Sequence, residues 1–202
     1  LYAGEFKTIK GKKYAFRNDG RMVNGLKFIN IDKTTPSLSV KADDDDDHPF
    51  DTEDDFIDSA LWYNAHNYQC FYFGGGEDGS MKTNKTNITI DGDNFNFYFE
   101  KSGSNKGAGL TGEKDDKYYL AGMLVKAGSD EKYQVVKKLT LSNGKVAYQK
   151  LADAKDFLDD LGETNYTKID VESLDEKTSV SVGYASKKAG DLKEAYTVND
   201  PS

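Results

Sequence analysis

The sequence predicts a mainly β protein built of stacked aromatic β-hairpins, with a short helical insertion and a small α/β C-terminal part. Aromatic residues alternate along short segments such as "KYAF" (13–16) and "FNFYF" (95–99), which puts a half-buried face on a pleated strand. Asp-Gly or Asn-Gly pairs follow several of these segments and suit the positive φ of a tight hairpin turn. The order aromatic strand, turn, apolar residue returns along the chain, and a lone hairpin is marginal in water, so the copies must cover one another.

The first unit, "KKYAFRNDGRMVNGL" (12–26), sets Tyr14, Phe16 and Met22 on one face, turns at Asp19-Gly20 and closes at Gly25. An insertion over residues 31–68 follows. Its acidic run, Asp43 to Asp47, reads as a solvated loop. Calcium is the alternative: Asp43, Asp45, Asp47, Asp51 and Asp54 fall at positions 1, 3, 5, 9 and 12 of an EF-hand-like loop, although His48 and Pro49 stand where a Gly and a carbonyl donor are wanted. No other cofactor is expected. Phe56, Ile57, Ala60 and Leu61 then follow an Asp-rich start at helical spacing, predicting a helix over 52–61, after which Trp62 and Tyr63 lead into the next strand.

The second unit, "CFYFGGGEDGSMKTN" (70–84), repeats the pattern with its turn at Asp78-Gly79 and Met81 beyond it. In "DGDNFN" (91–96), Asp91-Gly92 reads as a turn before a strand. The third unit (95–112) places Phe95, Phe97 and Phe99 on one face, Gly103 at the turn and Leu110 in the Met position. A fainter fourth is "DKYYLAGMLVKAG" (116–128). The fifth, residues 131–151, has Asn143-Gly144 between alternating segments.

Past a soft boundary that divides the chain into 1–150 and 151–202, the character changes. "LADAKDFLDDLGE" (151–163) predicts an amphipathic helix through Leu151, Ala154, Phe157, Leu158 and Leu161, stopped at Gly162. "TKIDVES" and "TSVSVGYAS" alternate as strands, and "KKAGDLKEAYTVNDPS" (187–202) reads as an ordered tail or a linker.

Composition limits the partners. A net charge of -8 repels nucleic-acid phosphates and anionic membrane surfaces, so no nucleic acid is expected. Cys70 is the single cysteine, so no internal disulfide forms. No run is long enough to span a bilayer, hence no transmembrane segment is expected, and "LYAGEFKTIK" is no signal peptide. The sequence opens on Leu1 rather than Met, so it is expected to belong to a longer precursor.

The order Tyr/Phe-x-Phe, Asp-Gly-x-Met and a closing Gly is clearest at Lys13 to Gly25 and at Phe71 to Thr83. It resembles the cell-wall-binding, or choline-binding-type, repeats of Gram-positive surface proteins, and is similar to clostridial toxin and glucansucrase (glucan-binding) repeats. That resemblance implies hairpins stacked as a β-solenoid, attachment to wall polymers or glucans, an extracellular place at the cell surface or in secreted form, and no catalytic role. Leu26, not Trp, follows Gly25, so the family's aromatic cage for choline is not carried over.

Three functions follow in order. The first is a non-catalytic cell-wall or glycan-binding module of a larger bacterial surface or secreted protein, its partner a wall polymer or other polysaccharide. The second is a structural spacer or adhesion module without a small ligand, and the third is part of a carbohydrate-active enzyme. Trp62, Tyr63, Tyr72, Tyr98, Tyr118 and Tyr119 are the candidate ligand-binding residues, since a flat ring matches a sugar face; core packing is the competing role, above all for Trp62. Catalytic signals are thin. His66 and Cys70 are four apart, but Cys70 opens the strand "CFYF" and reads as a small apolar residue. "FGGGEDG" runs into a turn and a Met rather than a helix, so it is no phosphate loop.

Overall fold

The computed structural model describes residues 1–31, 38–41, 49–115, 117–125, 133–140, 144, 146–151, 166–169, 181–186 and 192–198. In chain order these form β1 (Glu5–Ile9), β2 (Lys12–Phe16), β3 (Leu26–Ile31), β4 (Leu38–Lys41), α1 (Glu53–Ala65), β5 (Gln69–Tyr72), β6 (Asn84–Ile90) and β7 (Asp93–Phe99). There follow β8 (Gly112–Lys114), β9 (Lys117–Leu120), β10 (Met123–Leu124), β11 (Tyr133–Thr140), β12 (Val146–Leu151), β13 (Tyr166–Ile169), β14 (Ser181–Ser186) and β15 (Leu192–Val198). The protein is mainly β, with antiparallel sheets, one helix among the described residues and no closed barrel.

The chain divides into two compact units, residues 1–110 with 121–123, and residues 111–120 with 124–202. The division falls near residue 110. The reason is strand pairing: β11 pairs with β12 through Thr140 and Val146 and with β14 through Val136 and Gly183, which joins the fifth hairpin to the C-terminal strands.

In the second unit a five-stranded sheet runs β12-β11-β14-β15-β13, and β8 pairs antiparallel with β9, Glu113 opposite Tyr118. Two expectations are revised there. Leu151, the proposed first residue of the C-terminal helix, ends strand β12, and residues 152–163 lie outside the described residues. The polar tail supplies β15, which fills the place between β14 and β13 with Val182 opposite Tyr196 and Tyr166 opposite Val198.

In the first unit β1 and β2 form a hairpin whose two-residue turn is Lys10-Gly11, at φ of 51° and 81°, with Ile9 opposite Lys12. Its core-facing parity is the reverse of the expected one. Ala15 is fully buried, while Tyr14 and Phe16 are only half-buried. Phe6 sits opposite Ala15 and supplies the ring instead, 5.3 Å from Phe71 and 6.5 Å from Phe73; the small Ala leaves room for it. Beyond β2 the chain turns at Asp19-Gly20 as expected, with Gly20 at φ 88° and an isolated bridge from Phe16 to Met22.

Sheet β4-β3-β5 has apolar neighbours on both faces. Ile29, Leu38, Phe71 and Phe73 cluster with Ala15, Val23 and Ala108. Phe28, on the opposite parity of β3, meets Phe50 and Phe56 at 5.8 Å each, and Phe56 meets Phe97 edge-on at 5.4 Å. Strands β6 and β7 form a hairpin turning at Asp91-Gly92 (φ 53° and 76°), and β10 follows β7 in the sheet, Met123 opposite Phe97. Strand β6 is the edge.

Hydrogen bonds tie the aromatic strands to the segments that return along them. Val23 N–H donates to the Ala15 carbonyl (2.8 Å), Lys82 N–H to Tyr72 (2.7 Å) and Leu110 N–H to Tyr98 (3.1 Å). A second set joins one unit to the previous one: Met81 N–H to the Lys13 carbonyl and Gly109 N–H to the Cys70 carbonyl, both 2.7 Å. Side chains repeat the relation, since a Cβ on Gly79 would overlap the thioether end of Met22 and one on Gly107 would overlap Met81.

At Gly109 the close approach is to backbone, a Cβ falling 2.5 Å from the Ala121 carbonyl oxygen. Backbone cannot yield there as a side chain does, so Gly109→Ala is expected to cost about 2–3 kcal/mol. Gly92→Ala meets no atom within 4 Å and carries only the strain of its left-handed φ, about 1 kcal/mol. Thermal unfolding followed by circular dichroism checks the order; equal losses would mean that the Gly109 approach is not a packing constraint.

Candidate functional site

The site begins with a helix that has defined ends. Thr52 caps α1, its hydroxyl accepting from Asp55 N–H at 3.1 Å, and Glu53, Asp54 and Asp55 place negative charge at the positive end of the helix dipole. Phe56, Ile57 and Ala60 are buried. The helix does not stop at residue 61 but runs to Ala65, because the left-handed stop comes only at Asn67, φ 65°. Tyr68 N–H donates to the Tyr63 carbonyl at 2.9 Å, the six-to-one bond of a Schellman turn, and His66 N–H reaches the same oxygen at 3.0 Å. The apolar contact that accompanies such a turn is the Tyr68 ring on Tyr63, at 5.1 Å.

That turn orients four rings. Trp62 is 51% exposed, so the expected competing role of core packing does not describe it. His66, one turn later on the same helix face, stacks on it with ring centroids 4.0 Å apart and planes 18° off parallel, and its Nδ1 lies 2.6 Å from the Trp62 carbonyl oxygen. Tyr63 meets Trp62 edge-on at 5.0 Å and stacks at 4.8 Å on the buried Phe28. Burial raises the Tyr63 hydroxyl pKa. The result is an indole surface open to solvent and held by rings that connect it to the core.

The other candidates are dispersed. Tyr72 is half-buried, 6.3 Å from Phe99 and nearly parallel to it. Tyr98 and Tyr119 are 5% and 6% exposed, so neither candidate ring is open to a ligand. Phe97, Tyr98 and Phe99 are all buried, so both faces of β7 are covered there. Tyr118 stands on β9 opposite Glu113. Of the calcium candidates, Asp43, Asp45 and Asp47 lie outside the described residues, and Asp51 and Asp54 are exposed. No group of three or more His, Cys, Asp or Glu side chains is placed to hold a metal among the described residues.

His66 and Cys70 do not form a nucleophilic pair. His66 is committed to Trp62, and Cys70 is buried, which pushes its thiol well above the ordinary range. His66 is also the site residue that sequence reasoning misplaced: Trp62-x-x-x-His66 inside a helix was the available signal, hidden by ending the helix at 61.

No protein-family model matches the chain, and no curated protein matches it.

Two outcomes follow from these surroundings. The Cys70 thiol is expected to be inert to a disulfide reagent in the native state and to titrate fully in denaturant; rapid native labelling would contradict its burial. Asp78 accepts from the Lys82 ammonium and from Ser80, which hold its carboxyl well below the ordinary 3.8. A depressed pKa means that the folded state holds the proton less well than the unfolded chain. The stabilisation is therefore fully present above the unfolded value and is lost as pH falls through the folded one. Asp78→Asn should accordingly be less stable than the native chain near neutrality, the gap closing below about pH 3; urea titrations across pH check it.

Proposed function

We propose that the chain is a non-catalytic module that holds a larger bacterial surface or secreted protein on a cell-wall polymer or other polysaccharide. The observation that carries this reading is Trp62, an indole half open to solvent and braced by His66 and Tyr63. A flat apolar ring fixed in place offers a pyranose face a stacking partner at little entropic cost. The recurring ties of Met81 to Lys13 and Gly109 to Cys70, with Met22 over Gly79 and Met81 over Gly107, support reading the hairpins as a stacked array of wall-binding type. Among the described residues no helix is long and apolar enough to cross a membrane.

A spacer without a ligand is the second reading, and a specific observation favours it. Tyr98 and Tyr119, which an open glycan-binding face would present, are buried and serve packing.

Sedimentation with insoluble Gram-positive cell wall separates the two. The purified chain is expected to pellet with the wall, and Trp62→Ala to weaken the interaction roughly five- to tenfold, the equivalent of losing about 1 kcal/mol of ring stacking. Its melting temperature should barely move, because the ring is half exposed. No pelleting across several wall preparations would favour the spacer.

A further inference from the structure

We propose that a groove between the β1–β2 turn and the segment 80–83 binds an oxyanion, phosphate or carboxylate, carried on an anionic polymer. The groove has a volume of about 340 Å³, and Lys12, Lys13, Lys82 and Lys106 line it together with the hydroxyl-bearing Ser80 and Thr83. No acidic side chain is part of its lining. Four cations around one concavity are unexpected in a chain of net charge -8, since charges spread at random would have mixed signs there.

The fold brings these lysines together. Lys12 and Lys13 open β2, and the 2.7 Å bond from Met81 N–H to the Lys13 carbonyl lays the segment carrying Lys82 alongside them. Met81 then packs where a side chain on Gly107 would be, which brings Lys106 to the rim. Each of the first three hairpin units thus contributes at least one ammonium.

Two of the four are positioned in advance. The Lys82 ammonium donates to Asp78 and, at 3.0 Å, to the Ser80 hydroxyl, and the Lys13 ammonium lies 5.1 Å over the Phe6 ring. Lys12 and Lys106 are exposed, and among the described residues no carboxylate pairs with either. Asp78 offsets one charge, leaving a surplus of three. Lysine acts as a point charge without the planar fork of arginine, so the groove selects for negative charge rather than for carboxylate or phosphate geometry. Salt confines the attraction to about one Debye length, roughly 8–10 Å, so the acidic remainder of the chain does not cancel it. This site is separate from the Trp62 ring and stands whether or not that ring binds sugar.

The test is fluorescence anisotropy of labelled inorganic polyphosphate and labelled polygalacturonate, titrated with the full chain at several salt concentrations, with neutral dextran as competitor. At least one polyanion is expected to bind: polyphosphate alone assigns phosphate, polygalacturonate alone assigns carboxylate, and both together assign charge only. The double variant Lys12→Gln with Lys106→Gln should weaken binding roughly tenfold or more and reduce the log–log salt slope by about 1.5. The charge-matched control, Lys85→Gln with Lys101→Gln, lies outside the groove and should stay within about twofold of the native chain, diffuse charge alone being screened. Binding of neither polyanion, an equal loss in the control, or competition by dextran would overturn the proposal.

Discussion

Phe28 touches Phe50, Phe56 and Tyr63 from one face of β3, while its neighbour Ile29 belongs to the opposite cluster with Phe71 and Phe73. The first unit follows from that double coverage. Removing one buried Phe ring typically costs about 3–5 kcal/mol, a large share of a stability of about 5–15 kcal/mol. Helix α1 is needed to cover Phe28, the β1–β2 hairpin to cover the other side through Phe6, and β7 to meet Phe56 with Phe97. An insertion that looked like an interruption of the repeats therefore completes their core.

The same contacts connect core and surface. Tyr63 stacks on Phe28 below and meets Trp62 above, so the exposed indole inherits its orientation from a buried ring. On another side of the unit, Met81 supplies a backbone donor to Lys13 and a thioether to Gly107, and the lysines around it take their places as a consequence. In both cases the groups exposed to solvent are placed by apolar contacts beneath them.

Local turn chemistry was legible in the sequence. Asp91-Gly92 closes a two-residue hairpin, and Gly20 and Gly79 take the positive φ that their Asp-Gly pairs announced. The helix was legible at its start, where Thr52 and three acids sit together, but less so at its end, where the left-handed stop is made by Asn67, a weaker signal than glycine. Facing was the least legible. Ala15 turns inward where Tyr14 and Phe16 were expected, and Tyr98 is covered, because alternation tells which residues share a face but not how many faces a neighbour will cover. Lys27, fully buried on β3 yet partnered, is invisible to any pattern that assigns lysine to solvent. The groove escaped notice because its four lysines come from three separate stretches of the sequence.

Strand β6 ends its sheet, and a free edge is a template on which another chain can add itself. Along it the buried Ile88 and Ile90 alternate with the exposed Lys85, Asn87 and Thr89. Ring-rich β7 lies one strand inside, covered by this polar border. Many copies of the protein packed densely together would thus meet through amides, hydroxyls and a repelling ammonium instead of phenylalanine, a condition for remaining separate molecules when crowded.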